Sequence, residues 1–122
     1  MKEEEETLSF VRRSINSLWE LELLLRVSQS PERVWTSAEL VSTLRASSTV
    51  VERAVAALGA KGLVSATPPD GIRYAAVERG HGEDVKALEA LWAAKPFSVT
   101  KTIMDAQSDP LRSFSDAFRL KD

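Results

Sequence analysis

Residues 47–64, SSTVVERAVAALGAKGLV, hold a helix start, an apolar helical face and a helix stop within one short stretch. Ser47 or Ser48 is a typical N-terminal cap, because the hydroxyl accepts a hydrogen bond from an otherwise unpaired backbone N–H. Four apolar side chains follow at helical spacing and form the inward face: Val51, Ala54, Val55 and Leu58. Gly62 stands where a left-handed residue commonly ends a helix. The stretch therefore predicts a short amphipathic helix with a strand behind it.

The residues around this helix predict a second helix before it and a hairpin after it. Residues 36–39, TSAE, have the spacing of a capping box, in which a hydroxyl and a carboxylate bind each other's backbone N–H. Residues 45–47 form the turn between the two helices. Residues 63–67 and 72–77 are predicted strands, and the turn-forming sequence PPDG at 68–71 lies between them.

The flanking sequences are predicted to be helical. Apolar residues recur at steps of three and four from Thr7 to Val27, which indicates one long amphipathic helix. A brief apolar pair at 34–35 is a candidate short strand. Towards the C-terminus the same reasoning predicts helices over residues 84–94, 97–104 and about 110–119.

Composition limits the class of protein. A chain of 122 residues with 43% hydrophobic and 28% charged residues is expected to form one domain. The chain has no cysteine, which excludes disulfides and thiolate metal sites and fits a reducing compartment. No apolar run approaches the ~20 residues that a membrane span needs, and the start, MKEEEE, is unlike a signal peptide. We therefore expect a cytoplasmic protein without a membrane partner.

The order of these elements resembles that of the winged helix-turn-helix family. The motifs that carry the resemblance are WTSAEL at 35–40, STVVERA at 48–54 and KGLV at 61–64. The chain looks most like MarR-type and related small bacterial regulators, over about residues 15–77. The resemblance implies a mainly α fold with a small β-hairpin wing.

The resemblance also divides the chain. Residues 1–77 would form the winged helix-turn-helix domain with its long N-terminal helix. Residues 78–122 lie outside the resemblance and would form a C-terminal helical extension, which either packs on the domain or forms a dimer or partner interface. A homodimer through residues 18–25 and the C-terminal helices would resemble what small winged regulators do.

The resemblance implies duplex DNA as the ligand. In such proteins the second helix of the pair, here about residues 48–61, faces base edges, and the wing tip, here 68–73, contacts phosphate or the minor groove. Carried onto this chain, groove contacts would come from Thr49 and Arg53. Phosphate contacts would come from Arg45, Ser47, Ser48, Lys61 and Arg73.

The side chains on this helix also favour a different ligand. Glu52 would face phosphates, and positions 56, 57 and 60 offer only alanine methyl groups. Residues 36–77 carry four basic side chains against three acidic ones, a weak positive balance for a nucleic-acid binder. The alternative is a winged-helix adaptor that binds a protein, at this helix or at the C-terminal helices, and has lost DNA binding.

Catalysis is not expected. His81 is the only histidine and lies between two glycines, where nothing in the sequence fixes its orientation. No nucleophile, metal-binding or phosphate-binding motif is present, so the sequence predicts no cofactor. Four aromatic residues remain candidates either for an effector pocket or, as we favour, for ordinary core: Trp19, Trp35, Tyr74 and Trp92.

Overall fold

A computed structural model describes residues 3–67 and 71–107 of the chain. Within these residues the fold is mainly helical, with six helices and one small antiparallel sheet, as the sequence predicts. The elements in chain order are α1 (Glu4–Ser14), α2 (Leu18–Ser28), α3 (Ser37–Leu44), α4 (Ser48–Ala60), β1 (Val64–Thr67), β2 (Gly71–Tyr74), α5 (Gly82–Ala94) and α6 (Pro96–Gln107).

The prediction of one long N-terminal helix is wrong, because the chain breaks between α1 and α2. Ile15 is extended, and the Ser17 side chain accepts a hydrogen bond from the backbone N–H of Glu20 at 3.1 Å. The Glu20 carboxylate turns back to accept from the N–H of Asn16, also at 3.1 Å. These two bonds satisfy N–H groups at the start of α2. Apolar spacing continues across the break, which conceals it from periodicity.

The helix pair α3 and α4 forms as the local signals predict. The Thr36 hydroxyl and the Glu39 carboxylate make both bonds of the capping box, at 3.1 and 2.9 Å. The backbone N–H of Thr36, followed by the guanidinium of Arg33, holds the pKa of Glu39 below its usual value. Arg45 ends α3 in the left-handed conformation, with φ 56°, and Ser47 caps α4. Gly62, with φ 75°, turns the chain into β1.

The hairpin is shorter than predicted, because its second strand ends at Tyr74 rather than at Val77. Beyond it, the chain turns, and the N–H of His81 donates to the carbonyl of Ala76 at 2.7 Å. The predicted short strand at 34–35 is a single bridge, in which Trp35 and Ile72 exchange both backbone hydrogen bonds. The predicted turn includes residues 68–70, which lie outside the described residues.

One hydrophobic core joins the predicted winged domain to the helices after it. Val85 and Leu88 of α5 and Val99 and Ile103 of α6 are fully buried in the same cluster as Phe10 of α1. The described part of the C-terminal extension therefore packs on the domain through α1. The last predicted helix, at 110–119, lies outside the described residues.

The aromatic residues divide between core and surface. Trp35 and Tyr74 are buried, and Trp92 packs against the core from its edge. Trp19 is 39% exposed at the start of α2. Trp35, Tyr74 and Trp92 therefore belong to the core, as we favoured over an effector pocket, whereas Trp19 does not.

Candidate nucleic-acid interface

Helix α4 is fixed by its inner face. Val51, Ala54 and Leu58 are buried, and Val55, which was predicted to point inward, is only half-buried. Thr49 and Arg53 are exposed on the outer side. Because buried side chains set the rotation of the helix, the outer side is presented to solvent in a defined orientation.

Five of the seven predicted contact residues lie between the end of α3 and the second turn of α4. They are Arg45, Ser47, Ser48, Thr49 and Arg53, and all five are exposed. The Ser47 hydroxyl accepts from the N–H of Val50 at 3.1 Å and so caps the helix. Within residues 3–67 and 71–107, Arg45 and Arg53 have no hydrogen bond or ion pair. Neither guanidinium group is therefore occupied by a described residue, and Arg45 shortly precedes the N-terminus of α4, where anions are favoured.

Lys61 does not join this group. Its Nζ donates to the backbone carbonyl of Ser14 at 2.8 Å, and the residue is half-buried. Ser14 is the last residue of α1, so the ammonium lies at the negative end of that helix. Lys61 therefore links α1 to the end of α4, and its phosphate contact stays a prediction.

Arg73 is also occupied. Its guanidinium binds both carboxylate oxygens of Glu78, with N–O distances of 2.8 and 3.1 Å. This pairing lowers the pKa of Glu78 and raises the pKa of Arg73, in each case mainly through the hydrogen bonds. The positive charge expected on the wing is therefore offset by a neighbouring carboxylate that lies just beyond the hairpin.

An open groove of about 730 Å³ separates α4 from the hairpin. Its α4 wall is formed by Glu52, Val55, Ala56 and Gly59. Its opposite wall includes the whole of β1, and the charged residues Arg73, Glu78 and Arg79 also line it. Among the described lining residues, the carboxylates of Glu52 and Glu78 balance the guanidinium groups of Arg73 and Arg79, so this lining has no net charge.

His81 is better held than its glycine neighbours suggest. Its ring centroid lies 6.2 Å from that of Phe10, and its Nδ1 lies 3.7 Å from a carboxylate oxygen of Asp84. The side chain is 37% exposed. In the described part of the chain, no cluster of three or more histidine or acidic residues could hold a metal ion. No helix there is long and apolar enough to cross a membrane.

Sequence reasoning missed the partners that occupy Lys61 and Arg73. Ser14 lies 47 residues before Lys61, and no local pattern connects them. Glu78 lies five residues after Arg73, and residues at that spacing are not neighbours on one face of either a strand or a helix. Only the fold brings these groups together.

Comparison with known proteins gives no match among family models, curated proteins or solved structures. Within the described residues the surface thus carries two unpaired cations, Arg45 and Arg53, and two occupied ones, Lys61 and Arg73. The groove between α4 and the hairpin lies beside them.

Proposed function

We propose that the chain is a transcriptional regulator that binds duplex DNA through the start of its helix-turn-helix. One observation carries the proposal: Arg45 and Arg53 are exposed beside the N-terminus of α4 and have no acidic partner among the described residues. Arg45 would contact phosphate, and Arg53 would reach a guanine or a phosphate in the major groove. Ser48 and Thr49 would add hydrogen bonds from the first turn of α4.

The binding surface is small, so we propose that the regulator acts as a homodimer. Each phosphate that a cation neutralises changes the logarithm of affinity by about 0.9 per logarithm of salt concentration, and one protomer offers about two such cations. Most of residues 18–25, the predicted dimer contact, is buried within the chain. The exposed apolar residues of α6, Phe97 and Met104, are the stronger candidates for the dimer contact, being 76% and 52% exposed.

Fluorescence anisotropy with random-sequence duplex DNA tests this proposal. We expect measurable affinity at low salt that falls steeply as salt is added. Arg45→Ala with Arg53→Ala should reduce affinity at least about tenfold, since two ionic contacts are lost. Lys86→Ala is the matched control, because Lys86 is an exposed lysine on α5, outside the helix-turn-helix. Absence of binding at low salt, or equal loss in both variants, would overturn the proposal.

A second candidate function is protein binding by the same face, as an adaptor. The observation that favours it is the neutral groove, in which Glu78 holds Arg73 and alanine and glycine form much of the α4 wall. Small side chains permit close approach of another polypeptide, whereas a phosphate backbone needs cations. If this function holds, Arg53→Ala leaves partner binding intact, and Ala56→Glu in the groove abolishes it.

Either function is proposed for a cytoplasmic protein without catalytic activity. The lack of cysteine in the sequence is in keeping with a reducing compartment. The measurement that separates the two functions is the salt dependence of DNA affinity, since an adaptor that has lost DNA binding shows none.

A further inference from the structure

Strand β1 has one unpaired edge. In an antiparallel pair, residues with both backbone groups bonded to the partner alternate with residues whose groups point away from it. The N–H of Ala75 donates to Leu63, and their opposed positions make them a bonded pair. By alternation, the N–H and C=O groups of Val64 and Ala66 point away from β2.

The other edge of the sheet confirms this alternation. Ile72 is opposite Ala66 in the register, and it directs both of its backbone groups to Trp35, at 2.7 and 2.8 Å. Ile72 is thus unbonded to Ala66, as the alternation requires. Trp35 covers the β2 edge, whereas within the described residues no strand covers the β1 edge.

Ala66 is the accessible residue of that edge. The Val64 carbonyl points towards α4, where a Cβ added at Gly59 would lie 3.9 Å from its oxygen, and Val64 is buried. Ala66 is exposed and lines the groove. No backbone hydrogen bond joins it to a described residue outside the strand pair. It therefore presents one donor and one acceptor, which is what an added strand requires.

The groove beside this edge is lined by one stripe of α4. Glu52, Val55, Ala56 and Gly59 lie at spacings of three and four, so they share one side of the helix. The start of β1 lies beside Gly59, where the Val64 carbonyl is close, and Glu52 and Ala66 line the same groove. Small side chains form one end of this stripe, and a carboxylate without a partner among the described residues forms the other.

We infer that the β1 edge accepts an extended peptide segment of a partner protein as an added strand. The segment would bond to the N–H and C=O of Ala66, place small apolar side chains against Ala56 and Gly59, and place a lysine or arginine at Glu52. This inference rests on the second candidate function, protein binding, and specifies its ligand class.

The chemistry of the edge favours a peptide over a nucleic-acid backbone. Phosphate oxygens only accept hydrogen bonds, whereas the backbone of Ala66 offers a donor and an acceptor side by side. Glu52 repels a phosphate and attracts a basic side chain. Main-chain hydrogen bonds supply affinity in strand addition, and pockets for alternate side chains supply specificity.

Nuclear magnetic resonance titration with a defined peptide tests the inference. The probe is a short capped peptide with threonine at every second position. The positions between the threonines are, in order, alanine, alanine and lysine. We expect the amide signals of Val64 and Ala66 to shift and the exchange of the Ala66 amide with solvent to slow. The same peptide, N-methylated at alternate positions, retains its side chains but loses backbone donors, and we expect it to bind about tenfold more weakly.

Protein variants separate the two parts of the proposed contact. Ala66→Pro removes the outward N–H and no N–H that bonds to β2, a change that edge strands tolerate, and it should weaken peptide binding about tenfold. Ala66→Ser retains the N–H and is its matched control. Exchanging lysine for glutamate in the peptide should weaken binding to the natural protein, and Glu52→Gln should remove that preference.

Absence of shifts at Val64 and Ala66, or equal binding of the peptide and its N-methylated form, would overturn the inference. Failure of the underlying function has a different signature. If the chain acts only on DNA, Ala66→Pro keeps its steep salt-dependent DNA affinity and the peptide does not bind. If the chain binds proteins through another surface, such as Phe97 and Met104 on α6, substitutions there abolish partner capture while Ala66→Pro does not.

Discussion

The start and the end of the helix-turn-helix carry similar charge but use it differently. At the start, Arg45 and Arg53 are exposed and contact no acidic group among the described residues. At the end, Lys61 binds the carbonyl of Ser14, and on the wing Arg73 binds Glu78. The first pair has no partner among the described residues, whereas the second pair makes contacts within the chain. Cations at similar positions along one helix pair therefore differ in whether a group of the same chain already binds them.

The largest expected effect comes from the buried side of α4, which holds both regions in place. Leu58→Ala should lower the free energy of unfolding by about 3 kcal/mol, because it leaves a cavity at a fully buried site. Thr49→Ala, on the exposed side, should change it by less than about 0.5 kcal/mol. Urea denaturation measures both. Similar losses in the two variants would contradict the assignment of inner and outer sides.

The free energy of unfolding should fall at alkaline pH because of Tyr74, the last residue of β2. Burial, and then the negative charge of Glu89, raise the pKa of Tyr74 from 10.0 to about 12. The folded state therefore retains this proton when the unfolded state loses it. The stabilisation is complete below pH 10 and is lost as the pH rises through 12, with a total of about 3 kcal/mol.

Tyrosinate absorbance measures this titration directly, since the chain has one tyrosine. Denaturation at several pH values should show that the free energy of unfolding of the natural protein falls between pH 10 and pH 12. In Tyr74→Phe this part of the pH dependence should be absent. Ionisation of the folded protein at the ordinary tyrosine pKa would contradict the burial of this side chain.

The link at Lys61 should affect stability rather than DNA affinity. Lys61→Met removes a charged hydrogen bond at the end of α1 and should lower the free energy of unfolding by about 1 kcal/mol. Lys86→Met is the control, with no change beyond about 0.5 kcal/mol. Unchanged stability combined with weaker DNA binding would mean that Lys61 contacts DNA, and it would contradict the difference between Lys61 and the arginines Arg45 and Arg53.

The smallest expected effect is a gain of DNA affinity at the wing. Glu78→Gln removes the charge that holds Arg73 and should raise affinity about threefold, with a salt dependence steeper by about 0.9. Glu83→Gln removes the same charge from exposed α5 and is the matched control. The gain should disappear when Arg73→Ala is added. An equal gain in the control would show only an effect of net charge.

Local sequence signals predicted most of the fold. The bonds of the capping box at Thr36 and Glu39, the cap at Ser47 and the left-handed Gly62 each involve residues within a few positions of one another. The break before α2 was missed although Ser17 and Glu20 have the spacing of a helix cap, because apolar periodicity continued through it.

The candidate site could be predicted only in part. The exposure of Arg53 follows from the rotation of α4, which the inward apolar residues determine, whereas Arg45 is exposed in the turn before that helix. The engagement of Lys61 depends on how α1 packs, and the unpaired edge at Ala66 depends on strand order. Such contacts between distant segments leave no local pattern in one sequence.

The most direct test of the account compares Arg45→Ala with Arg73→Ala in the salt dependence of affinity for duplex DNA. Arg45→Ala should reduce the slope of log affinity against log salt by about 0.9 per protomer. Arg73→Ala should leave the slope unchanged, because Glu78 already binds that guanidinium group. Equal reductions in both variants, or a natural protein whose DNA affinity does not depend on salt, would contradict the account.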